Sequence, residues 1–514
     1  MEKPILKENR SKKKDSKIIK KIKQNMYKWH RTLGIITLIP VIFWTLSGIM
    51  HPFMAHFFKP EIAHEKLDIK PIETTQIKLS VQEVLILNKI DLFKNFRMIS
   101  FANQTYYQIK TVRNEYRYFN ALNAKELENG DQKYAEYLSR YFIDDAKSNV
   151  VKIELLTEFT SQYKYINRYL PVYKLTFDRD DEMQVYVETS SSKLATYNPK
   201  SRQIFIWIFD TFHNWAFIDA IANNYLRIIS MLLFLSIILF SAISGVVIYG
   251  FMWKKFKKVT PTDSEGFLRN NHRKIGIIVS FLTLTFAFSG GYHAIQKWQP
   301  NVLPKMIYEP IINVSNIKIL STQTKVDLSQ LINISIIKFK RNYYYQCDLY
   351  DAENEKWEKQ FVNANSNLLE KNIEIEYAQF LVTKFSKMLI NPTSNCCEMD
   401  GTESYNPNFV LKSSSILTDF DKREYGFVNK RLPVVKLEYN TPDNTTYYIE
   451  TSTSSLASVV NRSTRLEGYS FAIFHKFLLM EWAGKNIRDL ITVISALGIL
   501  IVSVLGLILF FKRK

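Results

Sequence analysis

Cysteine is scarce in this chain: there are three in 514 residues, Cys347, Cys396 and Cys397, all in the second half. No C-x-x-C pair occurs, which removes the usual zinc-ribbon and dithiol motifs, and no C-x-x-C-H run is present for thioether attachment of a cofactor. In an oxidising compartment the three allow one disulfide and one leftover thiol, and a local structural role is the simpler reading. Phosphate-cradling loops are missing too. No G-x-G-x-x-G follows a strand and no P-loop occurs, so no nicotinamide, flavin or nucleotide domain is appended. No Ser/His/Asp or Cys/His nucleophile set stands out. Charge is nearly absent from four windows of roughly 20 residues, the length that crosses a bilayer. They are about Leu33–Phe53, Ile228–Trp253, Ile275–Ile295 and Leu490–Phe511. The chain reads as an integral membrane protein. Its first span is too long for a cleaved signal peptide and has no small-x-small cleavage site.

The formal net charge of +19 sits at the span ends on one side. Residues 1–31 hold 12 Lys/Arg against 3 acids, residues 254–274 hold 7 against 2, and the chain ends in Lys-Arg-Lys. The positive-inside rule then places both termini and the 254–274 loop in the cytoplasm, and the segments 59–224 and 297–487 outside. Topology accounts for the basicity, so the expected surroundings are membrane lipid and not nucleic acid.

An internal repeat reorganises this picture. "HRTLGIITLIPVIFWTLSGIMH" (His30–His51) lies over "HRKIGIIVSFLTLTFAFSGGYH" (His272–His293) at a constant offset of 242. "LPVYKLTFDRDDEMQVYVETSSSKLA" lies over "LPVVKLEYNTPDNTTYYIETSTSSLA" at an offset of 262, which also brings "FDTFHNW" over "FAIFHKF". The second outer segment is thus about 20 residues longer, and residues 391–402 read as an insertion. Gly245 falls opposite Gly506 after a one-residue slip. The unit is span, outer domain, span, occurring twice. Its expected fold is a four-transmembrane-helix bundle carrying two α+β extracytoplasmic domains. The boundaries are a basic tail with the first span (1–58), the first outer domain (59–224), two spans and their loop (225–296), the second outer domain (297–487) and the last span with its tail (488–514). "PVYKLTF…QVYVET" alternates around a polar turn and predicts a hairpin. "LSVQEVLILNKI" and "IEYAQFLVTKFSKML" have helical apolar spacing.

Of eight histidines, six form three pairs under these offsets: His30/His272, His51/His293 and His213/His475, with only His56 and His64 outside. His30 and His51 are 21 residues apart, about 31 Å along a helix, matching the hydrocarbon thickness. Twenty-one is three heptads, so both share one seam with Gly34 and Gly48; His272 and His293 share theirs with Gly276 and Gly290. Each glycine lies one turn from its histidine, where it permits close helix approach or room for a flat group. His213 and His475 are expected on short interfacial helices. One membrane face would then hold His30 and His272, and the outer face the other four. Neutral imidazoles in facing pairs beside small residues suit haem b, whose iron two axial histidines saturate for electron transfer. Zinc fits less well, because few Cys, Asp or Glu stand at ligand spacing.

At these residues the chain resembles the PepSY-associated transmembrane family. The resemblance rests on "W-H-R-x-L-G" (Trp29–Gly34), on the "S-G-x-x-H" that closes the same span, and on the "F-H" before the next span. The hairpins "VYVETSSSKLATY" and "YYIETSTSSLASV" resemble the ends of PepSY domains, with Glu188 and Glu450 where an Asp before a Thr-Gly turn is usual. Relatives of this layout are similar to inner-membrane ferric-siderophore reductases. The resemblance implies two or three haem b groups on His30, His51, His213, His272, His293 and His475. It also implies a separate electron donor, either a cytoplasmic reductase or a quinol, and a ferric chelate reduced between two periplasmic domains of an inner-membrane protein. The competing class is a non-redox PepSY module that regulates or senses cell-envelope proteins or proteases.

Overall fold

A computed structural model describes residues 21–22, 24–256, 264–298, 303–318, 326–390, 410–421 and 424–512. The stretch read as an insertion, with Cys396 and Cys397, lies outside them, as do residues 1–20 of the basic tail. The chain divides into two compact units. One comprises Met1–Lys59, Ser201–Pro300 and Ser463–Lys514, and the other Pro60–Lys200 and Asn301–Arg462.

The first unit holds four helical segments long and apolar enough to cross a membrane: Leu38–Phe57, Asn224–Phe251, Ser264–Gln296 and Leu478–Phe511. These are called spans 1 to 4, and the chain is a multi-pass membrane protein. Span 1 is preceded by helical residues 24–36 and a turn at Thr37. Pro40 accounts for the interruption, since it has no N–H to offer the carbonyl one turn back. Thr37 N–H to Leu33 O and Val41 N–H to Thr37 O, both 3.0 Å, keep the path continuous. Span 1 packs on span 4, span 4 on span 3, and span 3 on span 2.

Within the spans, hydroxyls fold back on the helix that carries them: Thr45 donates to Val41 O at 2.7 Å and Ser289 to Thr285 O at 2.8 Å. No water is available in a bilayer core to do this instead. Gly498 lets spans 3 and 4 touch, because a Cβ there would sit 2.7 Å from Val279 Cγ1. Phe240, Ile278 and Phe281 turn outward, as lipid-facing side chains do. Helices Lys200–Phe212 and Arg462–Phe474 also belong almost wholly to this unit. The expected boundaries 59–224 and 297–487 include them, and the expected interfacial helices before His213 and His475 correspond to them. Their aromatic runs, Phe205 to Phe212 and Tyr469 to Phe474, pack against span residues instead of entering the sheets.

The second unit is built from strands. Residues 92–127 supply β1 (Leu92–Phe101), β2 (Gln104–Thr111), β3 (Tyr116–Asn120) and β4 (Glu126–Leu127). After helix Gly130–Ile143 come β5 (Val150–Leu156), β6 (Val172–Phe177), β7 (Gln184–Glu188) and β8 (Lys193–Asn198). The later segment supplies β9 (Ile312–Asn313), β10 (Leu331–Phe339), β11 (Asn342–Asp351), β12 (Lys356–Asn363) and β13 (Leu369–Glu370). Helix Ile373–Ile390 and β14 (Leu411–Leu417), β15 (Val434–Tyr439), β16 (Thr446–Glu450) and β17 (Ser455–Val460) complete it. β5–β8 and β14–β17 form separate four-stranded antiparallel sheets. The expected hairpin is β6–β7, with Leu175 opposite Val185. The expected helix near Ser80 is Val81–Leu87, opened by a capping box between Ser80 and Glu83.

Each segment has a core of its own, around Tyr134 and Leu138 in the first and Tyr377 and Leu381 in the second, and the two also share one. β1 pairs with β10 in antiparallel register, Arg97 opposite Ser335, and joins both into one nine-stranded sheet of order β13-β12-β11-β10-β1-β2-β3-β4, with β9 on β1. A continuous apolar layer of Phe93, Phe96, Tyr107, Ile334, Tyr345 and Cys347 lies on it. Beside it, the two four-stranded sheets meet at a buried charge cluster. Arg431 reaches Glu450 at 2.5 Å and Glu188 at 3.2 Å, and Lys193 reaches Glu450 at 2.6 Å.

Candidate functional site

The histidines of the membrane unit fall into two groups. Near the start of spans 1 and 3, the rings of His30 and His272 lie 6.2 Å apart, centre to centre. His30 Nδ1 is 2.9 Å from Ser241 O on span 2, and His272 Nδ1 is 3.1 Å from Val502 O on span 4. A carbonyl oxygen only accepts, so Nδ1 carries the proton in both rings and Nε2 keeps its lone pair. Helix carbonyls are normally shielded by the side chain one turn on. Here those positions, four residues later, are Gly245 and Gly506, and their missing Cβ atoms would stand 3.0 and 3.3 Å from the Cε1 atoms of His30 and His272. The glycines therefore open the carbonyls to the imidazoles. His30, Gly34, Gly245, His272, Gly276 and Gly506 all line one cavity of about 350 Å³, within the size range of small-molecule and cofactor sites.

The other group gathers at the opposite end of spans 1 and 3. His213 follows directly on helix Lys200–Phe212, and His475 on helix Arg462–Phe474. Each ring stacks on the phenylalanine one turn back: Phe209 at 4.4 Å and 13°, Phe471 at 4.6 Å and 11°. Two residues on, Trp215 and Phe477 take left-handed backbone conformations that turn the chain. Trp215 stacks on Trp44 at 4.9 Å, and Phe477 packs on Phe286 at 5.8 Å. The seam aromatics Trp44 and Phe286 thus anchor these corners.

Serine sets the proton here. Ser47 Oγ donates to Phe43 O at 2.6 Å and lies 3.0 Å from His213 Nδ1; Ser289 Oγ donates to Thr285 O and lies 3.2 Å from His475 Nδ1. With its one hydrogen committed, each hydroxyl accepts from Nδ1–H, and Nε2 is again the free atom. Burial first, then the charges of His475, Lys297, His51 and His293, hold His213 down at about 3. Burial, then Lys476, holds His475 at about 4. Both rings stay neutral near pH 7, the form that ligates a metal.

His293 donates Nδ1–H to Glu467 Oε1 at 2.5 Å and lies beside the Phe471 ring at 4.8 Å. His51 faces two phenyl rings, Phe205 at 6.3 Å and Phe209 at 6.0 Å. Beside Gly48 and Gly290 nothing lies within 4 Å of where a Cβ would be. His56 pairs with Asp489 at 2.8 Å and His64 stacks on Tyr141, so neither joins the two groups.

Five of the six rings thus have Nδ1–H engaged and Nε2 unengaged, the arrangement second-shell partners impose on metal-bound histidine. At 6.2 Å between ring centres, His30 and His272 are close enough that both could hold one group placed between them. Among the described residues no three His, Cys, Asp or Glu side chains converge to hold a bare metal ion. Imidazoles with free Nε2 atoms could hold a group that brings further metal ligands of its own.

The sequence alone did not single out Gly245, Gly506, Ser47, Ser289 or Glu467 as site residues. The first four were visible as matched positions under the repeat offsets; Glu467 has no such counterpart. Among curated proteins none matches the chain. Residues 108–324 match the family model described as the PepSY-associated TM region. That match covers spans 2 and 3 and most of the strands before them, and over these residues the chain is similar to the PepSY-associated transmembrane family.

Proposed function

We propose that this protein is a haem-b electron-transfer protein of the bacterial inner membrane that reduces a ferric chelate, such as a ferric siderophore, for iron acquisition. The observation that carries this reading is the pairing of His30 and His272, each held through Nδ1 with its Nε2 free and their ring centres 6.2 Å apart. Haem b bound on these residues supplies one-electron transfer and needs no substrate position on the iron. The chain's own residues hold and orient. His30 and His272 form one site; His51, His213, His293 and His475 form one or two more. Ser241 O and Val502 O lock the first pair of rings, Ser47 and Ser289 the interfacial pair. Arg31 and Arg273 line the His30 cavity and offer cations to carboxylate side arms.

In this reading the chain is an internal duplication with cytoplasmic termini and PepSY-like periplasmic segments, and Lys/Arg at the span ends sets the orientation. A separate reductase or quinol donates the electron. The chelate accepts it, Fe(III) becoming Fe(II), which the chelating ligands hold far less tightly. The test uses the full-length protein, reduced anaerobically in vesicles and mixed with a ferric catecholate or hydroxamate. Rapid reoxidation, with Fe(II) trapped by a chromogenic chelator, is expected. Haem that stays reduced under every ferric chelate would rule out the reductase role.

The support glycines make a second prediction. Gly245→Ala should lower haem retention at the His30 site, because its Cβ would stand 3.0 Å from the ring; Gly506→Ala, at 3.3 Å, should cost less. Alanine favours helix over glycine by about 1 kcal/mol, so helix propensity alone pushes the other way. Haem per chain in the two variants checks the order.

A further inference from the structure

The two halves of the four-histidine end correspond closely, with Trp44, Trp215 and Asn214 matched by Phe286, Phe477 and Lys476, and they differ in one hydrogen bond to a ligand candidate. His213 and His475 each stack on a phenylalanine and bond a serine. His51 and His293 differ. His293 gives its Nδ1–H to Glu467, whose side chain is 16% exposed. The residue 262 positions before Glu467 is Phe205, whose ring stands 6.3 Å from that of His51. One ring thus has an ionic acceptor on its Nδ1, and its counterpart has a phenyl ring at the matching place. Lys297 feels the Glu467 charge, and it makes no ion pair among the described residues.

We infer that Glu467 is a positioning residue that makes the His293 site chemically distinct from the His51 site, giving the two unequal reduction potentials. The inference rests on the haem reading above, in its form with His51 and His293 on two separate haems. A carboxylate accepting from Nδ1–H draws the proton toward itself and leaves the imidazole a stronger electron donor through Nε2. Stronger donation favours the ferric over the ferrous state, so the iron held by His293 is the harder one to reduce. Phe205 offers His51 no such acceptor and leaves it the weaker donor. Electrons leaving the two sites therefore do so with different driving force, although the polypeptide around them is nearly the same.

The experiment is a spectroelectrochemical titration of the full-length, haem-loaded protein in detergent, with Glu467→Gln and Phe205→Glu alongside. Glutamine keeps an acceptor oxygen but removes the charge. For Glu467→Gln, one transition should move upward and the rest stay in place. A tenfold loss in the preference for ferric iron, the low end of the range for second-shell changes, corresponds to about 59 mV for one electron. Phe205→Glu should move a different transition downward. If Glu467→Gln fails to fold or loses haem, Phe205→Glu decides: a downward shift supports the inference and an unmoved titration overturns it. Haem-loaded variants that both titrate like the wild type overturn the inference alone. A wild-type protein without haem overturns the reading beneath it instead.

Discussion

Replacing His30 with alanine is expected to remove one haem from the chain and leave the others in place. His30 is held by span 2 through Ser241 O, and it faces His272 at 6.2 Å. The four other histidines are held by a different set: Ser47, Ser289, Glu467 and the rings of Phe209 and Phe471. No residue is shared between the two sets, so losing one ligand at the first end has no direct path to the second. A haem with one axial imidazole gone becomes high-spin or dissociates, and both outcomes are visible in the absorption spectrum. His272→Ala should give the same loss, and the double variant little more, because two ligands of one iron act as a unit. Pyridine haemochrome quantitation per chain is the check. Full retention would exclude His30 as a ligand, and complete loss would exclude two independent ends.

The second large effect belongs to the sheet unit. Arg431 is 6% exposed and lies between Glu188 and Glu450, which are 3% and 1% exposed. Its guanidinium also covers the Tyr169 ring at 4.7 Å. Arg431→Met keeps much of the side-chain volume but leaves two carboxylates facing each other. Glu450 would still have Lys193 at 2.6 Å and the Thr453 hydroxyl at 2.5 Å, whereas Glu188 would be left with Ser191. Removing one partner of a buried ion cluster costs roughly 3–5 kcal/mol. A clearly lower thermal midpoint is expected for the sheet unit, read in full-length protein by limited proteolysis on heating. Arg431→Lys, with charge but no fork, should fall between. A methionine variant as stable as the wild type would contradict the role given to the cluster.

Acid probes the same cluster. Burial pushes Glu450 up, but Lys193 and then Arg431 outweigh it and hold the carboxyl at about 2. An unfolded glutamate titrates near about 4.3. Its folded value is therefore depressed, so its stabilisation is complete above the unfolded value and disappears as pH falls through the folded one. Proteolytic resistance of the sheet unit should decline between about pH 4 and pH 2, and Arg431→Met should weaken that part of the profile without abolishing it, because Lys193 remains on Glu450.

Much of the site was legible in the sequence because the chain can be laid over itself. The offsets that pair His30 with His272 and His213 with His475 also separate ligand candidates from His56 and His64. Hydropathy marked four spans, and alternation marked β6–β7. Three kinds of fact were out of reach. Arg97 opposite Ser335 joins residues 238 apart, and no local pattern encodes a register between distant strands. The service of Gly245 is to uncover a carbonyl for a ring on another helix, which only packing reveals. No local pattern marks where the outer domain stops and the interfacial helix expected at "IFIWIFDTF" begins, and the structure groups that helix with the spans. Glu467 was invisible for the opposite reason to the histidines. It matters because the repeat breaks there.

The central claim is that the six histidines hold haem at two ends of the membrane unit. The most direct measurement is low-temperature electron paramagnetic resonance with haem quantitation on the purified full-length protein, made in haem-replete cells. Two or more haems per chain, giving low-spin ferric signals of bis-imidazole type, is the expected result. A haem-free protein, or a single haem unaffected by His30→Ala, would contradict it.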